Sequence, residues 1–172
     1  MNSYFILDCP DQKDIADDLY SYYLKITKDK TTDSFWNNLT RQEIKEYFVR
    51  PKVKIVSWFK KLNLQARDMS YTIYNEKIQT GIHTDAPPVI AKINFPVLNT
   101  QDTYNVWFDK NGKEIDRVEC TRPVVLRSNI PHTVEIGPKA VFPRIQFSFT
   151  FYNEPVMFLR PDWIQKHNPI MQ

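Results

Sequence analysis

The sequence predicts an α+β domain that is mainly β, with helices in its first third and a sandwich or jelly roll in the remainder. Apolar residues recur at helical spacing up to about residue 64, and from Gln65 onward the period falls to two. Eight short stretches of β type then follow one another, which is typical of a sandwich or jelly roll. Because the helices precede these strands, we expect them to cover one face of a sheet.

Two helical regions are predicted before the strands. The first covers residues 12–27, where the apolar side chains lie at helical spacing. The second begins at the capping box Thr40-Arg41-Gln42-Glu43, restarts at Pro51 and continues to about Leu62. A short apolar run at residues 3–7 is interpreted as an edge strand or a packing arm.

The predicted strands cover residues 66–74, 80–85, 89–98, 104–108, 114–118, 123–127, 132–136 and 144–152. The turn at residues 109–112 joins two of them as a hairpin. The last strand alternates most clearly, with Ile and Phe on one face and four polar side chains on the other: Arg144, Gln146, Ser148 and Thr150. A polar row that faces the interior needs partners, which a bound ligand would supply.

The composition is that of a soluble globular domain, with 42% hydrophobic and 25% charged residues. The net charge of +3 comes without a dense Lys/Arg run, so no nucleic-acid partner is expected. Neither a membrane-spanning run nor a signal peptide is recognised, and the widely separated Cys9 and Cys120 fit a reduced compartment. We therefore expect one cytoplasmic domain over residues 1–172, comprising a helical part (1–64), a strand-rich core (65–152) and a C-terminal tail (153–172).

A candidate metal site centres on the segment Gly81-Ile82-His83-Thr84-Asp85. His83 and Asp85 are two residues apart, so an extended chain places both on one face. Further along, Pro131-His132 supplies a second imidazole, and Arg144 begins the alternating last strand. Two His, one carboxylate and open coordination positions are what non-haem Fe(II) requires, and the planar fork of an Arg suits a carboxylate. Taken singly, these residues are more simply interpreted as parts of an ordinary loop or strand end.

Together these residues resemble the site of the Fe(II)/2-oxoglutarate-dependent dioxygenases, in particular the prolyl and aspartyl/asparaginyl hydroxylases. The resemblance runs from about Arg67 to Tyr152. It implies a double-stranded β-helix core of the jelly-roll or cupin type. It also implies that His83, Asp85 and His132 bind Fe(II), with 2-oxoglutarate and O₂ as co-substrates.

The resemblance further implies that Arg144 pairs with the distal carboxylate of 2-oxoglutarate. Tyr74 resembles the tyrosine that often precedes the metal motif, and Asn94 occupies a strand position near the pocket, so both are candidate co-substrate contacts. Gln146 departs from the Ser or Thr that many members carry two residues after the Arg, although its longer amide can still donate a hydrogen bond. Thr150 stands where the nucleic-acid demethylases carry a second Arg, which argues against that branch.

The activity implied by the resemblance couples oxidative decarboxylation of 2-oxoglutarate to hydroxylation of an unactivated C–H bond, with release of succinate and CO₂. The expected substrate is a peptidyl side chain or a small metabolite, with no membrane or nucleic-acid partner, and the oligomeric state is left open. Two other functions remain: a non-catalytic jelly-roll binding or structural protein, and a cupin-type metalloenzyme that does not use 2-oxoglutarate. In the enzyme, activity should fall at acid pH, because the ligand imidazoles must be neutral.

Overall fold

A computed structural model describes residues 1–28, 36–50, 53–85 and 87–161 of the chain. Within these residues the helices are α1 (Gln12–Thr27), α2 (Arg41–Phe48) and α3 (Lys54–Lys61), followed near the end by a 3₁₀ helix (Pro155–Leu159). The strands are β1 (Tyr4–Ile6), β2 (Trp36–Asn38), β3 (Ala66–Tyr74), β4 (Ala91–Leu98), β5 (Thr103–Phe108), β6 (Glu114–Glu119), β7 (Val124–Arg127), β8 (His132–Ile136) and β9 (Arg144–Phe151). The fold is α+β and mainly β, as predicted.

The strands form two antiparallel sheets. The larger sheet has the order β1-β7-β4-β9-β3-β2, and the smaller one has the order β6-β5-β8. Strand β9 lies between β4 and β3 in the larger sheet, and its predicted alternation is confirmed. Its Ile and Phe side chains join the apolar core, whereas Arg144, Gln146 and Ser148 are buried on the opposite face. The larger sheet therefore has one apolar face and one polar face.

The helices cover the apolar face of the larger sheet, as the sequence predicts. Phe59 of α3 packs edge-on against Phe149 and Phe151, with ring centroids 5.1 and 4.9 Å apart. Trp58 packs in the same way against Phe95, at 5.8 Å. Such edge-to-face aromatic pairs add to the stabilisation from apolar burial. The polar face of the sheet is thereby left to face the smaller sheet.

The predicted capping box is present at the start of α2. The Thr40 hydroxyl accepts a hydrogen bond from the Glu43 backbone N–H, and the Glu43 carboxylate accepts one from the Thr40 backbone N–H at 2.7 Å. Helix α1 covers the predicted residues 12–27, and α3 begins at Lys54. Pro51, the predicted restart of the second helical region, lies outside the described residues.

Thr40→Ala is expected to lower the free energy of unfolding by about 1 kcal/mol, because it leaves backbone N–H groups of the first turn without their capping partner. Urea denaturation followed by circular dichroism measures the change. Ser21→Ala is the matched control, since the Ser21 hydroxyl donates only to the Asp17 carbonyl one turn earlier and caps nothing. Equal stability of Thr40→Ala and the wild type would contradict a stabilising role for the capping box.

Seven of the eight predicted strands are present within two residues of their predicted bounds, and the run at residues 3–7 contributes the edge strand β1. The predicted strand at 80–85 is wrong, because only His83 forms a bridge there. Side chains instead hold the start of this segment against β8. The Thr133 hydroxyl donates to the Thr80 carbonyl at 2.8 Å, and the Thr80 hydroxyl accepts from the Val134 N–H at 3.1 Å. These hydroxyl contacts take the place of a backbone ladder.

Two short elements were not predicted. Strand β2 pairs with the outer side of β3, and two of its three residues are Asn, which has low β propensity. Within the predicted C-terminal tail, Phe158 and Leu159 of the 3₁₀ helix are buried, and Phe158 stacks on Phe5 at 6.1 Å. Positions after 161 lie outside the described residues.

Cys9 and Cys120 are both free and buried. Across the described ranges, we find no helix of the length and apolar character that crossing a membrane requires.

Candidate metal centre

The backbone holds His83 and His132 side by side. His132 is the first residue of β8, and the two residues exchange backbone hydrogen bonds of 2.9 and 2.8 Å across an isolated bridge. Two residues further on, the Asp85 N–H donates to the Ser128 carbonyl at 2.9 Å. Backbone hydrogen bonds at two points therefore hold the loop that carries His83 and Asp85 against residues 128–132. They bring the predicted cluster together.

The candidate ligand atoms converge on one point. Asp85 Oδ1 lies 4.0 Å from His83 Nε2 and 3.9 Å from His132 Nε2, and the three ligand atoms lie within 4.8 Å of one another. Two ligand atoms that each lie about 2.1 Å from one metal, at right angles to each other, are about 3 Å apart. The three candidate ligand atoms therefore need to move inward by roughly 1 Å to bind the same ion. The geometry fits one metal ion held by two imidazoles and one carboxylate.

Both imidazoles are oriented by backbone carbonyls. His83 Nδ1 lies 3.0 Å from the Gly81 carbonyl oxygen, and His132 Nδ1 lies 2.9 Å from that of Ile130. A carbonyl can only accept, so in the neutral ring the proton resides on Nδ1 and the lone pair on Nε2. Burial lowers the pKa of His132 to about 4, so this ring is neutral at neutral pH. Backbone groups that fix the tautomer in this way are common around metal-binding histidines.

Asp85 is ionised and has a basic partner. Its Oδ2 lies 2.7 Å from the Lys92 ammonium. Burial raises the pKa of Asp85, but the Lys92 charge and the two imidazoles outweigh this effect and lower the pKa below its ordinary value. Lys92 was not among the predicted site residues. It shares the cavity side of β4 with Asn94, alternating with buried Ile93 and Phe95, so the period-two pattern was the available signal.

A cavity of about 940 Å³ extends from these ligands between the two sheets. Three of the predicted co-substrate contacts line it: Tyr74, Asn94 and Gln146. Asn94 accepts a hydrogen bond of 2.7 Å from the Ser148 hydroxyl, and burial raises the pKa of Tyr74, so its phenol stays protonated. Asn105 of the smaller sheet also lines the cavity and was missed, since the alternation of β5 is less regular than that of β9.

Arg144 lies behind these side chains and is fully buried. Its Nε donates to the Thr103 hydroxyl at 3.3 Å, its Nη2 donates to Gln146 Oε1 at 2.6 Å, and its guanidinium lies 5.2 Å from the Tyr74 ring. Its Nη1 has no hydrogen-bond partner, and no carboxylate within the described ranges forms an ion pair with it. An unpaired buried charge is costly, so this arrangement favours a bound anion.

Gln146 lines the cavity and accepts a hydrogen bond from Arg144, whose guanidinium lies next to the cavity lining in the described part of the chain. The guanidinium can only donate, so the amide oxygen of Gln146 must face Arg144. The amide NH₂ is then the group available to a ligand. The departure from Ser or Thr at this position therefore retains a hydrogen-bond donor.

Neither a protein-family model nor a curated protein matches the sequence. The fold, in contrast, is shared with solved oxygenase-type structures. A prolyl-4-hydroxylase from Pseudomonas putida superposes with a TM-score of 0.53 at 12% identity, covering 88% of this chain and 92% of that one. AviO1 from Streptomyces viridochromogenes Tue57 superposes with a TM-score of 0.51 at 8% identity, covering 90% and 92% of the two chains.

EvdMO1 superposes with a TM-score of 0.51 at 9% identity over 86% of this chain, which spans only 46% of the EvdMO1 chain. At these identities the likeness is one of fold. The resemblance to the 2-oxoglutarate-dependent oxygenases that the sequence predicts is thus confirmed at the level of the fold.

Proposed function

We propose that this chain is an Fe(II)- and 2-oxoglutarate-dependent dioxygenase built on a double-stranded β-helix core. It hydroxylates an unactivated C–H bond of a peptidyl side chain or small metabolite and releases succinate and CO₂. One observation carries the proposal: the same interior holds a His-Asp-His cluster and a fully buried Arg144 without an acidic partner in the described part of the chain.

The donor set supports iron. Two imidazoles and one carboxylate on one side of a metal leave positions open for exogenous ligands, which is the arrangement of non-haem Fe(II) oxygenases. His83, Asp85 and His132 are the residues that would hold the ion. When bound, the iron and 2-oxoglutarate supply the oxidising chemistry that protein side chains lack. The protein fixes the ligand atoms at one end of the cavity, where the His132 side chain is buried and the His83 side chain is half exposed.

The surroundings of Arg144 support a dicarboxylate. A carboxylate near Nη1 would give the guanidinium its missing partner, and the Gln146 amide NH₂ and the Tyr74 phenol are further donors on the cavity side. A molecule with one acidic end at Arg144 and a second at the metal would neutralise both positive centres. 2-Oxoglutarate has this chemistry, since its keto acid end can chelate a metal and its distal carboxylate can meet an Arg.

The remaining cavity supports a separate substrate. Its lining continues across β9 and β3 to the edge strand β2 through the side chains of Thr150, Ser70, Thr72 and Asn38. These neutral groups offer hydrogen bonds, and the ion-paired Arg67 and Asp68 line the same part of the cavity. The fold neighbour that acts as a prolyl-4-hydroxylase makes a proline-containing peptide the first substrate to test.

An anaerobic titration tests this proposal without knowledge of the substrate. Fe(II) and 2-oxoglutarate are added to the purified protein, and the weak visible metal-to-ligand charge-transfer band of a chelated keto acid is recorded, with Fe(II) alone as the control. We expect the band to saturate at one equivalent of each. Iron binding without a band would favour the cupin-type metalloenzyme that does not use 2-oxoglutarate. Binding of neither would favour the non-catalytic jelly-roll protein.

A further inference from the structure

The two carboxylate oxygens of Asp85 have different partners. Oδ1 faces the Nε2 atoms of His83 and His132, at 4.0 and 3.9 Å. Oδ2 is bound by the Lys92 ammonium at 2.7 Å. Only 18% of the Lys92 side chain is exposed, and the residue projects from β4 into the cavity. The metal-facing oxygen and the Lys-bound oxygen are thus distinct.

We propose that Lys92 is a positioning residue that restricts Asp85 to a single metal-binding oxygen and so keeps coordination positions free. The inference rests on the proposed function. A carboxylate can bind a metal through one or both oxygens, and an oxygen that accepts a hydrogen bond from an ammonium is a poor second ligand. Lys92 therefore selects the one-oxygen mode.

Restricting Asp85 to one oxygen matters because it determines how many coordination positions of the metal stay open. An octahedral metal has six positions, and two imidazoles with one carboxylate oxygen use three of them. The keto acid end of 2-oxoglutarate would use two more, which would leave one position open. Asp85 binding through both oxygens would occupy that last position or compete with the keto acid.

Because Lys92 is charged, its removal should affect metal binding and co-substrate binding differently. Partners of metal ligands usually strengthen metal binding, and their loss commonly costs about 10–100-fold in affinity or activity. Here the partner is a cation beside a dication, so its repulsion opposes metal binding. Removing the ammonium should therefore leave metal affinity unchanged or increased, while co-substrate binding becomes weaker.

Lys92→Met tests this separation, because it keeps the length of the side chain and removes the ammonium. Mn(II) affinity is measured by equilibrium dialysis, and 2-oxoglutarate affinity by the anaerobic Fe(II) charge-transfer band. We expect Mn(II) to bind at least as tightly as to the wild type, and 2-oxoglutarate to bind about tenfold more weakly or worse. Lys77→Met, which removes a cation from an exposed loop position, is the matched control and should change neither.

Lys92→Arg provides the second variant, since it retains a cationic donor and should retain 2-oxoglutarate binding better than Lys92→Met. Unchanged 2-oxoglutarate affinity in Lys92→Met would overturn the proposal. So would joint loss of metal and co-substrate in both variants, which would mark Lys92 as structural. The wild type is measured first: if it binds neither Mn(II) nor 2-oxoglutarate, the proposed function itself has failed, an outcome distinct from any result with the variants.

Discussion

Asp85→Ala is expected to weaken metal binding by at least about 100-fold and to abolish 2-oxoglutarate turnover. The substitution removes the only oxygen ligand of the candidate cluster and the charge that offsets Lys92. The fold should survive, because the backbone N–H of residue 85 can still donate to Ser128 and the side chain contributes nothing to the apolar core. Loss of function with retained structure is thus the expected signature.

Mn(II) binding, succinate formation and thermal unfolding of the metal-free protein measure the three consequences of Asp85→Ala. Asp17→Ala is the matched control: it also removes an ion-paired carboxylate, but from the exposed Lys13 pair on α1, where such pairs contribute little. Succinate formation by Asp85→Ala at the wild-type rate would exclude Asp85 as a ligand. Unfolding of the variant under native conditions would instead assign Asp85 a structural role.

Much of the fold was predictable because one period dominates each region. On β9 every second side chain is Ile or Phe, and this single pattern predicts the strand, its apolar face and the polar row that includes Gln146. The capping box at Thr40 predicts the start of α2, because both of its hydrogen bonds are local. Local geometry can be inferred from neighbouring residues in the chain.

The parts that failed depend on contacts between residues far apart in the sequence. The segment around Thr80 has strand-like composition, yet Thr133 satisfies its backbone through a hydroxyl, and no local pattern indicates that pairing. The ion pair of Lys92 with Asp85 likewise forms only when β4 and the His83 loop meet. The residue types of the metal cluster were predictable, but the partners that tune them required the assembled sheets.

Arg144→Met is expected to move stability and co-substrate binding in opposite directions. The guanidinium is fully buried and has a nitrogen without a hydrogen-bond partner, so its replacement by an apolar side chain of similar length should stabilise the metal-free protein by about 1–3 kcal/mol. The two side chains that accept hydrogen bonds from Arg144, Thr103 and Gln146, keep other hydrogen-bond partners. Thr103 still donates to the Thr100 carbonyl at 2.6 Å, and Gln146 lines the cavity, where water can reach its amide.

The same substitution should weaken 2-oxoglutarate binding by at least about 100-fold, because a buried carboxylate would lose its charged partner. Mn(II) affinity should stay at the wild-type value, since no candidate ligand contacts Arg144 among its hydrogen bonds. Urea denaturation in the presence of a chelator measures the change in stability, and the anaerobic charge-transfer titration measures 2-oxoglutarate affinity. A destabilised variant with normal 2-oxoglutarate affinity would show that Arg144 supports the fold, and a parallel loss of Mn(II) would place it in the metal site. A more stable protein that binds metal but not the dicarboxylate would identify the buried charge as one kept for a ligand.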